Sequence, residues 1–238
     1  MAGIGTIVNT LAVVVCGIIG LFLKKGISEK MQTALTKSIG VAVMFIGISG
    51  TLQEMFSVED SKIRSDGTIM LIISLLVGTF LGTLIDIERR LESMGEKLKK
   101  FAKSGDNSRF VEGFVTNTLV ICVGAMAIVG SLNDGLHHDP TMLYAKSILD
   151  GVLAVVFAST MGVGAVFAAL PMFIYQGGIT LLSSLISSYL TDAMISNLSL
   201  VGSALILVIG MNMALNAKIK TGNMLPALIV PIVWTLVV

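Results

Sequence analysis

The sequence predicts an all-α membrane protein, a polytopic bundle of about seven to eight transmembrane helices, and three observations predict it. Mean hydropathy is +0.91. Hydrophobic residues make up 54% of the 238 positions and charged residues only 13%, where a soluble domain carries about 25% charged residues on its wetted surface. Apolar runs of about 20 residues, the length a helix needs to cross a bilayer core, recur along the chain. So much apolar side chain exceeds what one core can enclose, so the outer surface must be apolar too, which means lipid.

The runs lie near residues 4–23, 36–54, 68–87, 111–131, 147–169, 172–190, 198–216 and 222–238. The first has no basic leader and no small-x-small cleavage site, and Lys24 and Lys25 follow it. That pattern predicts an uncleaved span with its N-terminus outside. The sixth run holds Gly177-Gly178 together with Ser183, Ser184, Ser187 and Ser188, which predicts a break near the double glycine. The eighth is short and contains Pro226 and Pro231. Between the third and fourth runs, Ile87, Leu91, Met94, Leu98 and Phe101 recur at helical spacing among charges. The third span is expected to run on into an amphipathic interfacial helix.

Basic residues mark three connections. Lys24, Lys25 and Lys30 lie in the first. Arg89, Arg90, Lys97, Lys99, Lys100, Lys103 and Arg109 lie in the third, and Lys218 and Lys220 follow the seventh run. With eight spans all three fall on one side, which the positive-inside rule makes cytoplasmic. The loops around Glu59-Asp60 and Asn133 to Asp139 then face outward.

Val8-Asn9-Thr10-Leu11 is echoed by Thr116-Asn117-Thr118-Leu119, and Lys37-Ser38-Ile39 by Lys146-Ser147-Ile148, at nearly the same offset. This suggests a duplicated three-helix unit. An odd number of spans inverts the second copy, which is the plan of many secondary transporters. The expected organisation is a first repeat over 1–88, an amphipathic cytoplasmic connector over 89–109, an inverted repeat over 110–190, and two further membrane helices over 191–238.

Polar groups in hydrocarbon need internal partners. The candidates for a substrate or ion pathway are Asn9, Thr10, Asn117, Thr118, Asp150, Gln176, Gly177, Asn212 and Asn216. Asp150 is ionisable and lies one turn after Lys146. It either binds a cation or proton on a path or pairs with that lysine. Asn212 and Asn216 share a helix face and either line a path or join helices. Gly78-x-x-x-Gly82, with Asp86 beyond it, reads as a helix-packing face. Cys16 and Cys122 sit in apolar runs and read as small membrane residues. His137-His138-Asp139, beside Pro140, has no metal-ligand spacing behind it.

No H-E-x-x-H, G-x-S-x-G or phosphate-binding loop is present, and no basic patch suits nucleic acid. An enzyme, a metal site and a cofactor are therefore not expected.

Cys122-Val123-Gly124-Ala125-Met126-Ala127-Ile128-Val129-Gly130-Ser131 with Asp134-Gly135, Lys146 through Gly151, Tyr175-Gln176-Gly177, and Asn223-Met224-Leu225-Pro226-Ala227 resemble the bacterial YqgA/YdfK-like membrane proteins (domain of unknown function 554). The likeness covers essentially the whole chain. It implies a multi-pass bacterial inner-membrane protein and carries no activity or site residue with it.

The residues themselves point to transport of a small solute or ion through a polar site at the repeat interface. The alternatives are a membrane scaffold acting through the 87–103 helix, or an ion channel. Glycine-rich packing faces are compatible with a homodimer in the bilayer.

Overall fold

The computed structural model describes residues 3–24, 26, 28–59, 62–102, 109–186 and 191–237. Lys25, Asp60, Lys103, Ser187 and Ser188, which entered the sequence reading, lie outside the described residues. The protein is an all-α membrane bundle. Among the described residues six helices are long and apolar enough to cross a membrane, and a bent helix pair would make a seventh.

The chain folds as two compact units that are not contiguous in sequence. The first comprises Met1–Lys37, Leu91–Cys122 and Met126–Tyr189; the second comprises Ser38–Arg90, Val123–Ala125 and Leu190–Val238.

The first unit is built on α1 (Ile4–Lys24). At 1.5 Å per residue its 21 residues reach about 31 Å, close to the roughly 30 Å of a hydrocarbon core. Its buried stripe is Thr6, Asn9, Val13, Gly17 and Gly20, spaced three to four apart, with Gly5 beside Thr6, while Ile7, Leu11, Val15 and Phe22 are exposed. Small and polar residues thus face inward and large apolar ones outward. Water would select the reverse, and lipid selects this. Helix α7 (Thr141–Met161) packs parallel to α1, with Gly5 against Leu143 and Gly20 against Val155 and Ala158. Helix α9 (Ala169–Leu181) runs antiparallel, with Asn9 near Gln176 and Thr6 near Thr180.

Two expectations about these helices need correction. The fifth run does not continue to 169: α7 ends at Gly162, whose φ of 93° suits glycine alone. A short turn, α8 (Gly164–Phe167), then leads into α9. Nor does Gly177-Gly178 break the sixth span, since α9 is continuous to Leu181. Two helical glycines cost only about 1 kcal/mol each, too little to unwind a packed helix. The fourth run is bent by 61° between its two halves, α5 (Phe110–Cys122) and α6 (Ala125–Leu136).

The amphipathic helix forms as α4 (Ile87–Phe101), but the third span does not run straight into it. Helix α3 (Thr68–Ile85) stops at Asp86, which takes the left-handed conformation (φ 52°) and donates its N–H to Gly82 O and Thr83 O. Short polar side chains tolerate that C-cap geometry. Gly95 of α4 packs against Val111 and Phe114 of α5, so this helix is seated on the first unit.

Helix α2 runs over Glu29–Met55, and in the second unit its part from Ser38 onward meets α11 (Asp192–Leu215) antiparallel, while α3 meets the 3₁₀ segment Thr221–Leu228. Both contacts are made by glycine. A Cβ on Gly47 would lie 2.4 Å from Leu207 N, and one on Gly82 would lie 1.9 Å from Asn223 O. The eighth run is this 3₁₀ segment followed by α12 (Ile229–Val237), and it is shorter than the six spanning helices. An antiparallel hairpin, β1 (Phe56–Glu59) and β2 (Lys62–Ser65), occupies what the sequence suggested was a simple loop, with Phe56 opposite Ser65 and Glu59 opposite Lys62.

Candidate functional site

A buried polar cluster lies in the first unit where α1, α7 and α9 meet. Each helix contributes from its inward face. Asn9 follows Thr6 on the buried stripe of α1. Lys146 and Asp150 are one turn apart on α7, and Gln176 and Thr180 one turn apart on α9; all six are among the buried residues. Asp150 is nine residues into α7, about 13 Å along its axis, well within the depth of a hydrocarbon core.

The bonding is specific. Lys146 Nζ donates to Asp150 Oδ1 at 2.9 Å. Asn9 Nδ2 donates to Asp150 Oδ2 at 2.9 Å and to Gln176 Oε1 at 3.3 Å, with Met172 Sδ at 3.5 Å. The hydroxyls of Thr6 and Thr180 lie 3.4 Å apart. Beyond them the fully buried Asp134 of α6 accepts the Gly5 N–H at 2.9 Å. This carboxylate sits at the positive, N-terminal end of α1, where free N–H groups and the helix dipole favour an anion. Asn9 Oδ1, Gln176 Nε2 and Asp134 Oδ1 are buried and have no hydrogen-bond partner among the described residues.

Of the residues singled out from sequence, the fold brings Asn9 into direct contact with both Asp150 and Gln176. Gly177 lies beside them, its added Cβ only 4.0 Å from a Thr6 methyl. Thr10 hydrogen-bonds back to Thr6 O at 2.8 Å. Its side chain lines a separate apolar groove of about 430 Å³ with Val14, Val166, Phe167, Ala169, Leu170 and Phe173. Asn117 donates to Ala165 O at 2.7 Å, holding the short α8 turn against α5, and Thr118 is buried next to it.

Asn212 and Asn216 belong to the second unit. Asn212 bridges Ile219 O at 2.7 Å, Ile219 N at 2.8 Å and Thr221 Oγ1 at 3.1 Å. Asn216 is the left-handed C-cap of α11, with φ 55°. Both shape the turn after α11.

Thr6 and Thr180 went unnoticed in the sequence, and Asp134 belonged to the family resemblance without a place among the pathway residues. Thr6 and Thr180 could have been found as same-face neighbours of Asn9 and Gln176, three and four residues away. Asp134 sat in a stretch read as an outer loop, whereas it falls in the last turn of α6. Asp139, from the same stretch, lies in the loop before α7. Its carboxyl is held below the ordinary carboxylate range by the Thr141 hydroxyl at 2.6 Å and the Thr141 N–H at 3.0 Å.

The family model described as protein of unknown function (DUF554) matches residues 4–236. A relative named as an uncharacterized membrane protein, YdfK of Bacillus subtilis (strain 168), is 36% identical over 227 residues, covering 95% of this chain and 93% of its own. The uncharacterized protein YqgA of Escherichia coli (strain K12) is 26% identical over 230 residues, with the same coverage of both chains. No solved structure matches.

Proposed function

The chain belongs to the DUF554 family of unknown function, and we propose that it is a transporter, passing a small solute or ion through the buried polar cluster of the first unit. One observation carries this reading. Side chains from three membrane helices join in one buried chain of hydrogen bonds, Lys146 and Asp150 from α7, Asn9 from α1 and Gln176 from α9, yet Asn9 Oδ1 and Gln176 Nε2 remain unpaired among the described residues. A cluster that served only to join helices would be expected to satisfy its own donors and acceptors. Each orphan costs about 1–3 kcal/mol, so the arrangement is expensive as glue and economical as a binding site.

In this reading Asn9 comes from the first repeat and Asp150 and Gln176 from the second, inverted one. The protein sits in a bacterial inner membrane with its basic connections in the cytoplasm, and it carries out translocation without catalysis. The test is flux. Purified protein in liposomes should move at least one member of a panel of ions and small metabolites above protein-free vesicles, and Asp150→Asn should reduce that flux. Background flux across the panel would sink the reading. Saturation of the rate with concentration separates a carrier from a channel.

A scaffold acting through residues 87–103 is the competing account, favoured by the outward-facing Phe101, which is 82% exposed. Against it, the Gly95 face of α4 is already occupied by α5. Deleting that helix should remove partners from a scaffold in a pull-down, while a transporter would retain its flux.

A further inference from the structure

The charge and hydrogen-bond polarity of the cluster also decide what kind of ligand it suits, given that the transport reading holds. We infer that the site takes a small uncharged solute presenting both a hydrogen-bond donor and an acceptor, such as an amide or a polyol, in preference to an ion.

The argument starts from Asp150. An ionised carboxylate only accepts, and both of its oxygens are engaged, Oδ1 by Lys146 Nζ and Oδ2 by Asn9 Nδ2. Acid and lysine cancel, so the pair has no net charge to offer. The acid also dictates how the two amides face. Asn9 must turn its NH₂ toward Asp150, because its carbonyl oxygen there would meet a carboxylate oxygen. The same Asn9 NH₂ reaches Gln176, which must therefore present Oε1. Flipping either amide would set like against like. The polarity runs one way, from Lys146 through Asp150 and Asn9 to Gln176.

Two groups are left over by that ordering. Asn9 Oδ1 is a free acceptor and Gln176 Nε2 a free donor, on residues with no solvent exposure. A bare cation would find one amide oxygen, a carboxylate already held by an ammonium, and an amide NH₂ facing it. An anion would find one NH₂ group beside a carboxylate. Only a neutral partner with both functions satisfies both orphans without burying an uncompensated charge.

The experiment is stopped-flow light scattering on proteoliposomes challenged with acetamide, urea and glycerol, alongside Na⁺ and K⁺ flux measured on the same vesicles. The expected result is permeation of at least one neutral solute above protein-free vesicles, with cation flux at background. Gln176→Met, which deletes the free donor while keeping the side-chain volume, should lower that permeation roughly three- to tenfold, the worth of one neutral hydrogen bond. Gln176→Glu keeps the acceptor for Asn9 but removes the donor and adds a negative charge. It should lose neutral-solute flux and gain Na⁺ flux.

Size-exclusion profiles matching the parent protein check that each variant has folded. If Na⁺ or K⁺ moves and none of the neutral solutes does, transport stands and this inference falls. If nothing moves, both fall together, and the two orphans hold no more than fixed water. If Gln176→Met folds and permeates at the parent rate, the assignment of the site to Asn9 and Gln176 is wrong.

Discussion

In the second unit, polar side chains find partners. Asn212 makes three bonds within the turn after its helix, Asn197 donates to Thr235, Ser196 donates to Glu54, and Asn223 accepts the Glu88 N–H at 2.8 Å. Tight packing there comes from glycines that let backbones touch. In the first unit, Asn9, Asn117, Thr118, Asp134 and Gln176 each keep a buried polar atom unpaired among the described residues. A group buried at bilayer depth has no water to turn to in either unit, although the turn held by Asn212 is exposed. One unit therefore reads as optimised for cohesion, and the other as tolerating polar groups at a cost that function explains.

The comparison breaks most directly at Lys146. Lys146→Met would leave the Asp150 carboxylate buried with Asn9 as its remaining side-chain hydrogen-bond partner among the described residues. Removing one member of a buried ion pair costs about 3–5 kcal/mol, so a large fall in thermal unfolding temperature in detergent is expected. The double variant Lys146→Met/Asp150→Leu should recover most of that loss, because an apolar pair leaves no charge stranded. A single variant as stable as the parent would mean that the pair is hydrated and the first unit is not the polar-cored half described above.

Next in size is Gly82→Ala in the second unit. Its methyl group would sit 1.9 Å from the Asn223 carbonyl oxygen, a backbone atom that has to move for the methyl to fit. Overpacking of this kind costs about 1–3 kcal/mol, measurable in the same unfolding assay. Unchanged stability would remove the claim that backbone proximity holds α3 to the Thr221–Leu228 segment.

What could be read in the sequence divides along the same line. Hydropathy located the first and third spans closely, with α1 covering 4–24 where 4–23 was expected and α3 covering 68–85 where 68–87 was expected, and missed the fifth by more, α7 covering 141–161 where 147–169 was expected. It also flagged Asn9, Asp150 and Gln176, because polar groups are scarce in apolar runs and costly there. It did not reveal which helices meet. Lipid and protein core are equally apolar, so a helix's lateral neighbours leave no mark on its hydropathy. For that reason Asn212 looked as promising as Asn9 until the fold placed it at a helix end. Helix breaks were misjudged for a related reason. Gly177 and Gly178 stay helical because nothing demands otherwise, whereas Gly162 breaks the chain because its φ of 93° is a tertiary requirement that composition does not report.

Asn212→Leu and Gln176→Met make the last and finest test, since each removes one amide from one unit. Asn212→Leu deletes bonds to Ile219 and Thr221 and leaves the Ile219 N–H and carbonyl without this partner. At about 1 kcal/mol for a typical bond, and with water able to replace part of the loss at this exposed turn, roughly 1–2 kcal/mol of stability should go. Flux per folded molecule should stay at the parent level. Gln176→Met removes one acceptor from Asn9 but also removes an unpaired buried donor, and these act in opposite directions. Its stability should therefore change by less than about 1 kcal/mol, while its flux falls. Unfolding and flux measured on both proteins give a crossed pattern if the units divide labour as described. If Gln176→Met instead unfolds as readily as Asn212→Leu and transports normally once folded, the amide of Gln176 is structural, and the unpaired atoms of the first unit no longer set it apart.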